Sequence, residues 1–412
     1  MSAYSTALSG LLANNTALDV VGNNLANMNT DGFKTDSVQF QDAIVQANQS
    51  LQVGEGVEST ITETNFSQGN LQTTNQPLDA AIQGGGFFVI QDPSSGAIQY
   101  TRDGSFSLNS SGQLVTSSGD LVQGWMASNG TVTPSGATTA ITVPALNSQT
   151  PSATANMTLS ANLDATTASG GSFSTTVGVV DSLGNLQTVT VDFTEAGANT
   201  WNYTATIPGQ DVKGGTAGTP TTIGTGTLTF DTNGNLKSPA SGTPAVLKTT
   251  GGLADGAADL NINWNLYDAS GNATITQYAQ ASAASGSTQD GVQPGTVTGV
   301  SLENGGDLVA TYSNGNVVTI AQVALAAVTN PESLVAVANN NFTVGSDTVT
   351  PSIGAADTSQ RGSIVAGSLE TSNVDMATEF TNLILYQRGY EANSKVLTTV
   401  EQMEQALLAM NP

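Results

Sequence analysis

Residues 4–28 read YSTALSGLLANNTALDVVGNNLANM, and the apolar side chains of this stretch recur at heptad spacing. The stripe occupies two heptad positions: Tyr4, Leu11, Leu18 and Leu25 at one, and Ala7, Val21 and Met28 at the other. Asn14 interrupts the second series, while Leu8 and Leu12 widen the stripe. This spacing predicts a helix of about 25 residues, which would be about 38 Å long.

The end of the sequence repeats the pattern. Its two heptad positions hold Met376, Leu383, Tyr390 and Leu397, and then Tyr386, Val400 and Leu407. Asn393 interrupts the second series, and three more apolar residues lie beside the stripe: Phe380, Met403 and Met410. Ser372 and Asp375 have the spacing of a capping box. A helix of about 35 residues is therefore predicted to begin here and to end near Pro412.

Neither predicted helix is strong by itself. Gly10, Gly22 and Gly389 lie in helix interiors, where each costs about 1 kcal/mol relative to Ala. Helices in proteins gain most of their stability from a packed face, so both ends are expected to stay unfolded until a partner covers them. Periodicity leaves two partners open: the other end of the same chain, in an intramolecular clasp, or neighbouring copies of the chain.

The sequence between the two ends has the pattern of β-strands. Residues 188–193 and 201–207 alternate between polar and apolar side chains, as half-buried strands do. Residues 308–312 and 317–323 flank a Ser-Asn-Gly-Asn turn, which predicts a hairpin. The predicted fold class is mainly β with α-helical termini, built from discontinuous nested domains.

Shifts in composition predict four layers of domains. We expect residues 1–28 and 372–412 to form a helical coiled-coil core, 29–71 and 364–371 an extended connector, 72–145 and 286–363 an inner β domain, and 146–285 an inserted outer β domain.

The charge balance excludes several classes of function. Eight Lys and Arg residues face 32 Asp and Glu residues, for a formal net charge of −24. Nucleic acids and anionic membranes are bound through Lys and Arg, so neither is expected as a partner. The acidity favours solubility and slow self-association before assembly, with an acid-driven calcium site as the alternative. The absence of His and Cys excludes disulfides, thiolate metal sites and a Ser-His-Asp triad.

Two kinds of motif are candidates for binding sites. Residues 84–86 are three glycines, but Phe87 and Phe88 follow where a phosphate loop needs Lys and Ser or Thr, so a turn before a buried strand is predicted. Residues 181–185, 231–235 and 268–272 share the form D-x-x-G-N, which is typical of hairpin turns and lacks the rest of a calcium loop. A histidine-free glycosidase could use paired carboxylates, but no aromatic-rich cleft is indicated. No enzyme activity, metal or cofactor is expected.

Several of these stretches resemble the signatures of flagellar rod and hook proteins. The N-terminal signature is matched by LSGL at 8–11, LDVVGNNLAN at 18–27 and NTDGFK at 29–34. The next blocks are matched by QPLDAAI at 76–82, GGGFFV at 84–89, YTRDGSF at 100–106, and GQLVT at 112–116 with Gly119. The C-terminal signature is matched by GSLETSNVD at 367–375 and YQRGYEANSK at 386–395.

The resemblance implies a structural subunit that assembles with itself into a helical tube. The large insertion at 146–285 favours the hook, a flexible joint that transmits motor torque to the filament, over the shorter rod subunits. A distal rod subunit remains the alternative within the family, and a secreted β-rich adhesin is the alternative outside it. The resemblance also implies further partners: the distal rod, the hook cap, the hook–filament junction proteins and the flagellar type III export apparatus.

The expected location is therefore the extracellular hook of a bacterial flagellum. The first residues carry neither a basic segment nor a continuous apolar run, so no cleaved signal peptide is expected, in line with export through the flagellar channel. The predicted assembly interface consists of the apolar side chains of the two helical stripes: Leu8, Leu11, Leu18, Val21, Leu25, Met28, Met376, Leu383, Tyr386, Tyr390, Leu397, Val400 and Leu407.

Overall fold

The computed structural model describes residues 3–48, 51–128, 130–143 and 149–409. The chain divides into two compact units. The first unit contains residues 1–145, 298–311 and 316–412, and the second contains residues 146–297 and 312–315. Both ends of the chain therefore belong to the first unit, and the second unit is built from the middle of the sequence.

Two helices form at the ends of the chain, α1 (Ala3–Ala26) and α2 (Met376–Ala409). Asp375 is the N-cap of α2, because its Oδ1 accepts a hydrogen bond of 2.8 Å from the backbone N–H of Thr378. The predicted capping box headed by Ser372 is wrong, because the helix begins after Asp375 and the Ser372 hydroxyl instead accepts a 3.3 Å hydrogen bond from the N–H of Val374, ahead of the helix. Within the described residues, neither helix combines the length and the apolar character needed to span a membrane.

An antiparallel hairpin, β1 (Asp36–Asn48) and β2 (Leu51–Thr64), follows α1. It lies in the segment 29–71 for which an extended connector was expected. Most of its described side chains are exposed or half-buried on both faces. The apolar alternation that marks a half-buried strand is therefore weak, and the sequence pattern did not indicate strands here.

The first unit continues through short strands before the chain enters the second unit. These are β3 (Leu71–Thr73), β4 (Ala80–Gln83), β5 (Phe87–Gln91), β6 (Ile98–Thr101), β7 (Ser107–Leu108), β8 (Leu114–Val115), β9 (Leu121–Met126) and β10 (Thr139–Ala140).

The second unit contributes the next set of strands. These are β11 (Asn156–Asn162), β12 (Ser172–Val180), β13 (Leu186–Gly197), β14 (Thr200–Ile207), β15 (Thr221–Phe230), β16 (Leu236–Ser238), β17 (Ala245–Lys248), β18 (Asn261–Asn265), β19 (Ile275–Thr276) and β20 (Ala283–Gln289).

The chain then returns to the first unit. The returning strands are β21 (Val297–Leu302), β22 (Asp307–Tyr312), β23 (Val317–Val323), β24 (Leu325–Ala327), β25 (Val335–Ala336), β26 (Asn341–Thr343), β27 (Ser352–Gly354), β28 (Ser363–Ala366) and β29 (Ser368–Glu370). Short 3-10 turns lie at Gly209–Asp211 and Pro331–Ser333.

The main sheet of the first unit has the order β21-β22-β23-β9-β5-β6-β26-β25. Two separate antiparallel sheets, β4 with β28 and β3 with β29, join early strands of the first unit to the strands just before α2. An aromatic cluster fills part of the core, where Phe66 packs edge-on against Phe87 and Phe342 at centroid distances of 5.4 and 5.1 Å. The predicted hairpin of β22 and β23 is confirmed.

The second unit packs two sheets around a common core. One is the antiparallel meander β12-β13-β14-β15-β16, and the other has the order β17-β18-β11-β19, with β20 also paired to β11. Trp264 lies at the centre, with Tyr203 edge-on at 5.0 Å and Phe193 at 6.1 Å. Strand β20 pairs with β11 and so belongs to this unit. The second unit therefore extends to residue 297, whereas the expected outer β domain ended at residue 285. Together the two helices and the strands confirm the predicted fold class.

Candidate assembly surface

The two terminal helices pack against each other in an antiparallel arrangement through matched notches. A Cβ at Gly10 of α1 would lie 2.8 Å from Nδ2 of Asn393, and a Cβ at Gly389 of α2 would lie 2.6 Å from Oδ1 of Asn14. The Nδ2 of Asn14 also donates a 2.7 Å hydrogen bond to the carbonyl of Gly10. The two asparagines that interrupt the heptads are therefore contact residues, and these two glycines are needed for close approach.

Small side chains form the α1 side of this contact. Ala7, Ala13, Ala17 and Val21 are buried, as is Asn24 one turn further on. These positions follow one face of the helix at spacings of three, four and six residues. The fully buried α1 positions are therefore occupied mainly by small side chains, and large apolar residues such as Leu8 and Leu12 lie outside them.

Each helix presents an exposed face on its other side. The α1 outer face consists of Leu8, Leu12, Asn15, Asp19 and Gly22. The α2 outer face consists of Ile384, Leu385, Arg388, Lys395 and Val396. Leu12 is 59% exposed and Leu385 is 63% exposed. Isolated apolar side chains at a surface are ordinary, but a row of them at helical spacing is typical of surfaces that contact other molecules.

The thirteen residues predicted as the assembly interface do not share one environment. Leu8 and Met376 are exposed, Val21 is buried inside the subunit, and the side chain of Leu407 lies outside the described part of the structure. The other predicted residues are half-buried: Leu11, Leu18, Leu25, Met28, Leu383, Tyr386, Tyr390, Leu397 and Val400. Tyr386 packs against Phe40 of β1, with ring centroids 6.0 Å apart.

Four exposed apolar residues were missed by the heptad argument: Ile384, Leu385, Val396 and Leu408. Leu385, Ala392, Val396 and Met403 are separated by seven, four and seven residues, which is itself a heptad spacing. Helix α2 thus carries a second apolar seam beside the one that was predicted, and a search of every heptad phase would have found it.

A buried cluster of three charges joins the early part of the first unit to the strand before α2. Glu370 of β29 accepts from Nζ of Lys34 at 2.7 Å and from Nη1 of Arg102 at 3.1 Å. Its side chain is inaccessible to solvent, and the backbone N–H of Gly69 also donates to its Oε1 at 2.8 Å. Burial lowers the pKa of Lys34 and of Arg102, and the charge of Glu370 opposes both shifts.

Two motif glycines, one in the stretch NTDGFK and one in YTRDGSF, lie where backbone segments approach each other closely. Gly32 has a φ of +69°, and its N–H donates to the carbonyl of Glu370 at 2.6 Å. A methyl group at Gly104 would lie 1.6 Å from the carbonyl oxygen of Ala80. The motifs alone assigned no role to their charged residues, because the partners of those residues are hundreds of positions away in the chain.

Amide side chains hold the base of the hairpin to α1 and to the segment just before α2. Asn24 donates to the carbonyl of Asp36 at 2.7 Å and to Oε1 of Glu379 at 3.3 Å. Asn373 accepts from the hydroxyl of Thr35 at 2.6 Å and donates to the carbonyl of Asn65 at 2.9 Å. Burial raises the pKa of Glu379 against the opposing hydrogen bond from Asn24. A network of polar contacts therefore helps to hold the junction of helices, hairpin and strands.

The D-x-x-G-N loops have one shared geometry, which confirms them as hairpin turns. In each loop Oδ1 of the Asp accepts two backbone N–H groups, from the residues two and four positions later. The Gly has a positive φ in all three: Gly184, Gly234 and Gly271. No cluster of metal-binding side chains occurs among the residues that the structure describes. The glycines at 84–86 likewise form a turn, with positive φ at Gly84 and Gly86, that leads into buried β5.

Four family models match the chain along its length. They are the flagella basal body rod protein at 5–34, the flagellar hook protein FlgE/F/G D1 domain at 81–163, the flagellar basal body protein FlaE D2 domain at 145–292, and the flagellar basal body rod FlgEFG protein C-terminal at 365–410.

Complete relatives agree with these models. The flagellar hook protein FlgE of Salmonella typhimurium is 32% identical over 419 residues, covering 98% of this chain and 99% of the relative. The chain belongs to the flagellar hook protein family. The hook protein FlgE of Treponema pallidum is 30% identical over 467 residues, covering 100% of this chain and 99% of the relative.

A solved structure supports the fold of this hook-family chain. The crystal structure of Helicobacter pylori flagellar hook protein FlgE2 aligns with a TM-score of 0.52 at 15% identity, covering 73% of this chain and 100% of that one. At this level of identity the likeness concerns the fold alone.

Proposed function

We propose that the protein is a structural subunit of the bacterial flagellar hook, which assembles with copies of itself into a helical tube. Family membership supports this role over the adhesin alternative, and the whole-length hook relatives support it over the distal rod. A helical tube needs heterologous contacts that repeat without closing. The role is mechanical, so the surfaces between subunits carry the function.

The observation that carries the proposal is the exposure of large apolar side chains on both helices. The intramolecular pair buries mainly small residues and leaves Leu12, Ile384 and Leu385 largely in water. Burying such a side chain fully contributes about 1.5–3 kcal/mol. In a self-assembling tube, neighbouring copies would cover these side chains. The two helices of one chain would therefore first pack on each other, and their exposed faces would then contact the helices of other copies.

The two β-rich parts of the chain would form the outer wall of the tube. A hook bends while it rotates, so contacts between outer domains must slide. The second unit exposes many Thr, Ser, Asn and Gly residues, and a polar surface allows sliding better than a closely packed apolar interface. The distal rod, the hook cap and the junction proteins would meet the ends of this tube. Export would follow the flagellar type III route.

Point substitutions on α2 test the assembly role. We expect Leu385→Ser to abolish tube formation by the purified protein, as seen by electron microscopy and by sedimentation under assembling conditions. Gln387→Ser is the matched control, because Gln387 is an exposed polar residue on the same helix. Both variants should keep the circular dichroism spectrum of the unassembled protein. Normal tubes from Leu385→Ser would contradict the proposal.

Removal of residues 146–297 tests the sliding role separately. We expect a chain in which this segment is replaced by a short Gly/Ser linker to form tubes that are straight or stiff, and cells carrying it to swim poorly. Unaltered curvature and swimming would show that the second unit plays no part in bending.

A further inference from the structure

The helix glycines divide into two kinds. Gly10 and Gly389 each face an Asn of the other helix, and a Cβ on either would clash with it. Gly22 of α1 is different, because a Cβ built there meets nothing within 4 Å. Glycine is among the poorest helix formers, so its presence in the α1 outer face has no explanation within one subunit. A glycine in a helix allows another backbone to approach closely.

The Lys and Arg side chains of the first unit differ in whether they have a partner within the subunit. Of its five Lys and Arg residues, Lys34 and Arg102 are buried against Glu370, and Arg361 donates to the carbonyls of Ala355 and Ser352. The remaining two are Arg388 and Lys395, which are exposed on the α2 outer face one heptad apart. Within the described residues, neither forms an ion pair or a side-chain hydrogen bond.

The α1 outer face carries the complementary charge. Asp19 is the one charged residue of α1, it is exposed, and its carboxylate accepts a long hydrogen bond of 3.4 Å from the amide of Asn15. It lies three residues from Gly22 and seven from Leu12, on the same face of the helix. A chain with a net charge of −24 repels its own copies, so an interface between copies gains from bringing these scarce cations to a carboxylate.

We propose that the α1 outer face of one copy docks on the α2 outer face of a second copy, with Asp19 facing Arg388 and Lys395. Gly22 lets the two helices approach closely, and Leu12, Ile384 and Leu385 are buried beside the charges. The inference rests on the proposed self-assembly and names the contact within it. It also assigns a purpose to the second heptad seam of α2.

Charge reversal tests the pairing. Asp19→Lys alone and Arg388→Glu with Lys395→Glu should each raise the critical concentration for tube formation about tenfold or more. All three substitutions together should return it to within about threefold of the wild type, because the pair is restored with opposite signs. The effects should weaken at high salt.

Glu332→Lys combined with Arg388→Glu and Lys395→Glu is the matched control, because Glu332 is an exposed carboxylate of the first unit that lies in the 3-10 turn Pro331–Ser333 and on neither helix. The pairing would be overturned if Glu332→Lys rescued the α2 variant as well as Asp19→Lys does, or if Asp19→Lys gave no rescue. Either result would leave the proposed function intact, provided that the wild type forms tubes. A wild type that forms no tubes would overturn the proposed function itself.

Gly22→Ala gives a second test, because it should stabilise the unassembled protein and weaken its assembly. The unassembled variant should be more helical and should melt at a higher temperature, since the new methyl group meets open space and Ala is the better helix former. Its critical concentration should nevertheless rise several-fold, because the second helix is held away. Gln387→Ala should leave assembly unchanged. If Gly22→Ala assembles as well as the wild type, the inferred close approach of a second helix at Gly22 is wrong.

Discussion

The side-chain amide of Asn393 lies against the bare Cα of Gly10, and Asn14 stands in the same relation to Gly389 at the reciprocal point of the helix pair. Each asparagine therefore occupies the space that a side chain on the opposite helix would fill. Both glycines weaken their own helix and allow the pair to form. Shape complementarity at these two points therefore sets how closely the helices of the isolated subunit pack.

Gly389→Ala should destabilise the unassembled protein even though Ala favours helices. The new Cβ would meet Oδ1 of Asn14 at 2.6 Å, and Asn14 cannot move without loosening its bond to Gly10. We expect a net loss of about 1–2 kcal/mol in the free energy of unfolding, measured by urea denaturation followed by circular dichroism. Gly22→Ala is the control and should raise stability by up to about 1 kcal/mol. Equal gains in the free energy of unfolding for both variants would show that a methyl group at Gly389 does not clash with Asn14.

Glu370→Gln should be among the most damaging single substitutions in the first unit. It would leave the charges of Lys34 and Arg102 buried without their shared counter-ion, which costs about 3–5 kcal/mol. Lys34→Met should cost less, because Glu370 keeps Arg102 and the N–H of Gly69. Thermal and urea unfolding measure both effects. Glu391→Gln removes an exposed carboxylate and should change little; a comparable loss there would refute the role of burial.

Glu379→Gln should stabilise the unassembled protein at pH 7. Burial raises the pKa of Glu379 above its ordinary value of 4.5. The contribution of this group to stability is therefore fully present below pH 4.5 and is lost as the pH rises through the raised pKa. Gln keeps an acceptor for Asn24 and carries no charge. The gain measured by urea unfolding should shrink toward pH 4, whereas a gain of equal size at both pH values would contradict this account.

Asp268→Ala should lower the melting temperature of the second unit at pH 7. Hydrogen bonds from the side chain and backbone of Asn272 lower the pKa of Asp268 below its ordinary value of 3.8. Its contribution is thus present above pH 3.8 and lost as the pH falls through the lowered pKa, so the difference from the wild type should narrow in acid. Asp268→Asn retains an acceptor and should melt closer to the wild type. An equally large drop would mean that charge, and not the turn geometry, matters.

Local patterns in the sequence predicted the helices, the half-buried strands and the turns, because each depends on neighbours a few residues away. Strands β13 and β14 alternate clearly, and each D-x-x-G-N loop closes on itself. The hairpin of β1 and β2 escaped prediction because neither of its faces is well buried. The start of α2 was misplaced because Ser372 and Asp375 are both competent caps, and local spacing could not choose between them.

The contacts that join distant segments could not be predicted. Lys34 and Glu370 are 336 positions apart, and Arg102 and Glu370 are 268 apart. The spacing of residues around Lys34 or Arg102 does not indicate that their partner is Glu370. The same holds for the interface, where heptads marked apolar stripes but could not distinguish Val21, buried in the subunit, from Leu385, which faces outward.

The position of Glu370 also sets an order of events during synthesis or delivery of the chain. Lys34 and Arg102 pair with a carboxylate that lies 336 and 268 positions later in the chain. Contacts between such distant residues form slowly, because a very long loop has to close first. Until that segment arrives, Lys34 and Arg102 remain solvated and the strands beside them have no lasting partner. A truncated chain that stops short of residue 370 would therefore be unable to complete the junction, and its two buried cations would have no carboxylate between them.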